Sequence, residues 1–427
     1  MTEPKITGGW VGQIFEITLG KPGHGGFCVG RHDGRVVFVR HGLPGEVVRA
    51  RVTEDRGGGF CRADAIEVLT ASPDRVPSVC PVSGPGGAGC CDYAHANLAA
   101  QRAMKAAVLA EQLQRIAGME RAVEVEALPG TGDGTGWRTR TRLVVGADGR
   151  AGVHRYRSTD VIADLRCPQP VPGATADLAE GRWAPGSELA VAVDGAGERH
   201  VVVFAPAPVS RTGRASTGRR GTMARRAAAN RPRPRAVAIG SGRAHEVVAG
   251  RSWDVDAAVF WQPHRGAAQT YSDVVAEWAD APTGGVAWDL YAGAGVFAAR
   301  LAEQVGPNGS VTAVESARDA FDDAATALLD LAQVHPQAGR VERVLAGLAA
   351  DPDVVVLDPP RAGAGKQVVA AVTDRAPQRI VHVGCDPASF ARDLSLYIAA
   401  GYRVADLHAF DAFPLTHHVE AIALLTR

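Results

Sequence analysis

Alternating apolar and polar positions, broken by glycine turns, run through the first part of the chain. The stretches VGQIFEITL, GFCVGRHDGRVVFVRH, GEVVRARVTE and FCRADAIEVL keep a period of two, as half-buried strands do. Short strands punctuated by Gly and Asp-Gly predict a small antiparallel barrel of OB-like type over 1–72. Proline and glycine then dominate SPDRVPSVCPVSGPGGAGCCD, which predicts linker and loop. An Ala- and Leu-rich helix is expected from about 96 to 116, and strand-like runs return over 120–250, so 73–253 reads as a strand-rich central domain. From about residue 254 apolar β-branched runs alternate with helical stretches. Strands are expected at 286–290, 311–315, 341–344, 353–357, 379–384, 403–409 and 420–426. That alternation predicts a doubly wound sheet over 254–427, and an α/β fold class.

With 427 residues, 46% of them hydrophobic, the chain has material for two or three cores. Formal net charge is zero, so the overall field gives no argument for a polyanionic partner. No apolar run reaches membrane-spanning length, and MTEPKITGGW lacks the apolar core of a signal peptide. A soluble, cytoplasmic protein without a membrane partner is expected. Seven unevenly spaced cysteines argue against a disulfide framework.

Local charge changes the picture. Arg31, Arg35, Arg40, Arg49 and Arg51 fall among the barrel strands, either as an edge that tracks a nucleic-acid backbone or as a solvated face. Arg138, Arg140 and Arg142 alternate along one strand and would point the same way; Arg138 and Arg140 are candidate substrate contacts. Arg211, Arg214, Arg219, Arg220, Arg225, Arg226, Arg231, Arg233 and Arg235 occur without an acidic residue before Glu246. A cationic arm for phosphate is preferred there over a solubilising loop.

The candidate chemistry lies in the last third. In VHVGCDPASFARDL an apolar run breaks at Gly384 and presents Cys385 before an expected helix. A lone cysteine is more often an inert buried thiol. Here VVVLDPPRAG and FPLTHHVEAIALL would bring Asp358 and Glu420 to the same sheet edge, where open α/β sheets hold their ligands. GGVAWDLYAGAGVFAARL reads as strand, glycine turn and helix, with Gly293 and Gly295 admitting close backbone approach. Glu315, ending the next strand, can accept hydrogen bonds from ribose hydroxyls. The third glycine of a dinucleotide fingerprint is missing. Asp289 before the turn suits a cationic, amino-acid-bearing cofactor such as S-adenosylmethionine. Cys80, Cys90, Cys91 and Cys167 could hold zinc or an iron–sulfur cluster, although the adjacent Cys90 and Cys91 have diverging side chains.

Over nearly its whole length the chain resembles the RNA 5-methyluridine methyltransferases that carry an N-terminal TRAM domain. The likeness rests on VFWQPH, DLYAGAGVF, LDPPRAG, GCDPASFARDL and FPLTHHVE. It implies a class I (Rossmann-like) methyltransferase domain, S-adenosylmethionine as cofactor and RNA as partner, ribosomal RNA favoured over transfer RNA. Cys385 would be the nucleophile and Glu420 the base. Gln262, Asp289, Gly293, Gly295 and Glu315 would meet the cofactor, with Asp358 facing the target base beside it. Arg361 would stand near the substrate or in a structural ion pair, and His417 and His418 would bind phosphate or lie on the surface. The chain departs from the family at three places. Asp386 stands where Asn is frequent, an extra charge that opposes a thiolate unless paired, with Arg392 as the expected partner. His264 replaces another Asn. The four-cysteine motif is matched at Cys80, Cys91 and Cys167, while Ala88 holds the remaining position and Cys90 is offset by two. Amino-group methylation of a purine and non-catalytic RNA binding are the rival readings.

Overall fold

The computed structural model describes residues 9–207, 233–348 and 350–427. The period-two stretches become the strands Ile14–Thr18, Phe27–His32, Arg35–Arg40, Val47–Asp55 and Phe60–Thr70, joined by the short Pro22–Gly23. They form one six-stranded sheet around Val37, Val39, Val48, Ala50 and Val52, all almost fully buried. All pairs are antiparallel except Arg35–Arg40 with Phe60–Thr70. Of the barrel arginines, Arg35 is tied to Asp55, Arg40 to Asp92 and Arg49 to Glu67, whereas Arg31 and Arg51 are exposed.

A second six-stranded antiparallel sheet follows, running from Arg140–Val145 to Arg235–Ile239. Its core holds Leu143, Val145, Leu189, Val191 and Val201. Arg233 is paired with Glu188 and Arg235 with Asp256. The other arginines of the expected cationic arm, Arg211, Arg214, Arg219, Arg220, Arg225, Arg226 and Arg231, lie outside the described residues.

The third sheet has eight strands in the order Val334–Ala338, Ser310–Glu315, Val286–Leu290, Val354–Leu357, Arg379–Gly384, Glu420–Thr426, Arg403–Asp411 and Val125–Ala127. The first five are parallel, and Glu420–Thr426 enters antiparallel beside Arg379–Gly384. Two expectations are corrected. Residues 341–344 are a short helix, and the edge strand is Val334–Ala338. Val341 and Val344, three apart, suit a helical turn, while Pro336 weakens the strand signal; an edge strand tolerates proline because it has a free side.

The second correction concerns the boundary at 254. The strand Val125–Ala127 pairs in the third sheet beside Arg403–Asp411, and the helix Leu98–Gln112, started by Asn97 accepting from the Ala100 N–H, packs against that sheet. Leu109, Leu113 and Val125 share a core with Val355, Ile380 and Leu394. Lys105 and Asp411, both fully buried, pair at 2.5 Å. Periodicity cannot reveal a pairing across so long a stretch of chain. No helix among the described residues is long and apolar enough to cross a membrane.

Candidate active site

The strand Arg379–Gly384 ends at Gly384, where a Cβ would come within 2.6 Å of the Phe390 ring. Cys385 follows, and Asp386 then caps the helix Pro387–Ala399 by accepting from the Ser389 N–H at 2.9 Å. Register brings the other groups in. Gly384 stands opposite Ala421 in the antiparallel pair, which sets Cys385 across from Glu420. On the other flank Val354–Leu357 ends one residue before Asp358. All three line one open cleft of about 1290 Å³, which also takes in Gln262, Gly293 and Glu315.

Three acids therefore crowd a poorly hydrated corner, and their protons are hard to remove. Burial, reinforced by Asp358, holds the Glu420 carboxyl well above the usual range, with Arg361 opposing. Burial pushes the Asp358 carboxyl up to about 7. The Cys385 thiol is pushed up to about 12 by burial and then by Glu420 and Asp358, again against Arg361. Tyr271, on the helix Ala267–Ala279, lines the same cleft with a buried hydroxyl that has no partner.

The glycine turn forms the opposite wall. Gly293 and Gly295 adopt φ of 55° and 82°, a region that favours glycine. A Cβ on Gly293 would project into empty space, while one on Gly295 would meet Leu328 at 2.6 Å. Glu315 accepts from the N–H groups of Gly293 at 3.0 Å, Ser316 at 2.6 Å and Ala317 at 2.5 Å. Asp289 does not line the cleft. It is fully buried, with Oδ2 accepting from the Ala298 N–H at 2.8 Å, Oδ1 unpartnered, and its carboxyl pushed up to about 8 by burial. Its direct role is with the loop backbone, because the turn carries the strand end beneath the glycines. Gln262 Nε2 stands 3.5 Å from Asp358 Oδ2. An open face at Gly293 and a fixed carboxylate at Glu315 fit a nucleoside, while Asp289 shapes the turn from beneath.

Around the cleft several expectations change. Asp386 is paired with His24 of the barrel at 3.0 Å; Arg392 binds Asp393 and the Ala362 carbonyl. His264 is a buried packing residue, stacked on Trp137 and bonded to Thr131. Arg361 lies against the His418 ring, and burial, His417 and Arg361 lower that imidazole to about 2, so it stays neutral. Arg140 pairs with Glu246 at 2.9 Å and donates to the Ala257 carbonyl; it lies outside this cleft and lines the neighbouring cavity. Arg138 does reach the cleft, with Nη1 held by Gln169 at 3.0 Å.

A second cavity of about 650 Å³ shares Cys90, Arg138 and Phe260 with the first and continues between Arg142, Arg155 and Tyr156. Phe260, 67% exposed, marks the junction; it sits within VFWQPH, where Gln262 is the residue that draws attention. Gln101 and Lys105 also escape a reading by motif, and they hold the turn before Glu420 through the Leu415 N–H and the Phe413 carbonyl. A buried lysine facing a helix's apolar side is the signal that could find them.

Cys80, Cys90 and Cys167 gather about Cys91, whose sulfur also receives the Gln169 amide at 3.2 Å. Tetrahedral zinc would hold its sulfurs roughly 3.8 Å apart. Among the described residues the one group of three or more possible ligands mutually within 4.8 Å is Asp194, Glu198 and His200. Ala88 is buried and bridged to Arg155, with no donor to offer there.

Comparison with known proteins agrees with this architecture. Residues 10–66 match the TRAM domain, and residues 345–427 match the tRNA (uracil-5-)-methyltransferase family model. An uncharacterized RNA methyltransferase of Streptomyces avermitilis is 40% identical over 97% of this chain and 98% of its own length. Another from Corynebacterium glutamicum is 38% identical over 97% of each. The fold is similar to that of the Pyrococcus abyssi tRNA (uracil-54, C5)-methyltransferase, solved with S-adenosyl-L-homocysteine. That likeness has a TM-score of 0.67 at 20% identity and covers 96% of this chain and 100% of that one. The chain belongs to the TRAM-bearing RNA methyltransferases of the tRNA (uracil-5-)-methyltransferase family.

Proposed function

We propose that the protein methylates carbon 5 of a uridine in RNA through a transient covalent bond from Cys385 to carbon 6. The observation that carries this reading is the register that sets a thiol across from a buried carboxyl at the mouth of a glycine-walled cleft. Carbon 5 of uracil is a poor nucleophile, and addition of sulfur to carbon 6 turns it into an enolate carbon. S-adenosylmethionine, when bound, supplies the electrophilic methyl group. A cation seated by the glycine turn favours the ionised form of Asp358 and Glu420. The thiol proton passes to Asp358 as the carbon–sulfur bond forms, which leaves Glu420 ionised. Glu420 then removes the hydrogen from carbon 5, the carbon–sulfur bond breaks, and the departing Cys385 thiolate recovers its proton from Asp358. Asp358 and Gln262 orient the ring.

A stacked uridine is inaccessible at carbon 6, so the base enters the cleft single-stranded or flipped. The second cavity offers a path for its neighbours, with Arg142 and Arg155 near phosphates and Tyr156 beside bases. The resemblance to the TRAM-bearing branch makes ribosomal RNA the proposed substrate, against the transfer RNA named by the family model and by the Pyrococcus abyssi enzyme. Loss of 5-methyluridine from transfer RNA instead, in cells lacking the gene, overturns that choice. The chemistry is tested with 5-fluorouridine RNA, whose fluorine cannot be removed by the base. Wild type should give a covalent protein–RNA adduct, and Cys385→Ala should give none while still binding cofactor. Methyl transfer surviving in Cys385→Ala refutes the nucleophile. Iron and acid-labile sulfide in anaerobically prepared protein decide whether the four thiols hold a cluster.

A further inference from the structure

The turn that presents Cys385 is held from a different sheet. His24 lies in the barrel between Pro22–Gly23 and Phe27–His32, and its Nε2 stands 3.0 Å from Asp386 Oδ2. Asp386 Oδ1 accepts from the Ser389 N–H at 2.9 Å and lies 2.7 Å from Ser389 Oγ. That hydroxyl is in turn 2.6 Å from the carbonyl of Arg361. One carboxylate thus joins the barrel, the thiol turn and the turn that carries Arg361.

A second chain of contacts reaches the other side of the cleft. Arg40, ending a barrel strand, pairs with Asp92 at 2.5 Å, and the other oxygen of Asp92 meets His417 Nδ1 at 2.6 Å. Arg40 and Asp92 are almost fully buried. The His417 and His418 rings lie 4.1 Å apart, and His418 lines the cleft against Arg361. The barrel therefore grips the residues just after Cys385 and those just before Glu420.

A free carboxylate next to a thiol opposes its ionisation and, unrestrained, can swing toward it. A donor on its far oxygen draws the charge away while leaving the helix cap intact. We propose that the N-terminal barrel is a positioning element of the catalytic cleft, with His24 holding Asp386 so that Cys385 and Arg361 keep their reacting geometry. This rests on the reading of Cys385 as nucleophile. His24 acts through Asp386 and touches no reacting atom. Burial makes its ring less basic while Asp386 opposes that effect, so its contribution is a directed N–H.

The test is a double-mutant cycle on the full chain, read as the single-turnover rate of adduct formation on 5-fluorouridine RNA, RNA affinity and melting temperature. His24→Ala should slow adduct formation on the order of tenfold and leave RNA affinity within about twofold. His24→Gln, which keeps a donor, should recover most of the rate. In the Asp386→Asn background the amide still caps Ser389 but carries no charge to restrain. There His24→Ala should change the rate by less than about twofold. An equal loss in both backgrounds, or a loss expressed as weaker RNA binding, overturns the proposal. Should wild type form no adduct at all, the nucleophile reading fails. The same cycle read on multiple-turnover methyl transfer then still decides whether His24 and Asp386 are coupled.

Discussion

At the residue scale the cleft is a contest between burial and charge. Burial and Asp358 hold the Glu420 carboxyl well above its usual range, yet the reaction asks it to give up that proton and act as a base. Glu420→Gln keeps the shape and removes the base, so covalent RNA adduct should accumulate on ordinary uridine substrate, with turnover reduced by at least about 100-fold. Gel-shifted adduct under denaturing conditions reads this, and its absence removes Glu420 as the base. Asp289 leaves a different signature. Its folded carboxyl sits at about 8, far above the ordinary value near 4, so the folded state keeps a proton that the unfolded chain has released. That contribution is fully present below about pH 4 and is lost as pH rises through about 8, at up to about 1.4 kcal/mol per pH unit. Melting temperature should fall over that window, and Asp289→Asn should flatten the decline. Cys385, Asp358 and Glu420 are legible in the sequence because each sits at a strand end marked by its own motif. The burial of Asp289 is not, since it depends on how the turn folds back. Arg392, near in sequence, is the obvious partner for Asp386, whereas the real one comes from the barrel.

At the scale of elements, the glycine turn is the part most sensitive to small change. Gly293 has room for a Cβ but only in the space a ligand would fill, and Glu315 fastens its N–H. Gly293→Val should leave the domain folded and weaken S-adenosylmethionine binding by at least about tenfold, through steric filling and the left-handed backbone. Calorimetric titration checks it, and unchanged affinity argues against this wall as the cofactor site. Strands dominated by apolar residues, such as Val354–Leu357 and Arg379–Gly384, are readable because both faces of the sheet are covered. Val334–Ala338 is not, because His335, Pro336 and Gln337 look like loop and are acceptable only at an edge.

For the whole molecule, the zero net charge conceals a cavity lined by Arg138, Arg140, Arg142, Arg155 and Arg157. Binding of RNA there should be strongly salt-dependent. Exchanging Arg142 and Arg155 for Gln should reduce the slope of log affinity against log salt by about 0.7 for each phosphate no longer neutralised. A slope that does not move places the nucleic acid elsewhere. The layout of barrel, middle sheet and doubly wound sheet can be read from periodicity alone, but the crossing of Leu98–Gln112 and Val125–Ala127 into the last sheet cannot.

That crossing has a consequence for how the protein is made. The helix bearing Leu109 and Lys105, with Leu113 just beyond its end, leaves the ribosome long before the strands that will cover it, with its oily side and a lone ammonium waiting for Asp411. That helix and the strand Val125–Ala127 must stay unfinished until the last residues are translated. A fragment cut at residue 254 would inherit the mirror-image defect, an unpaired acid and an unclad sheet margin, and should clump when expressed alone.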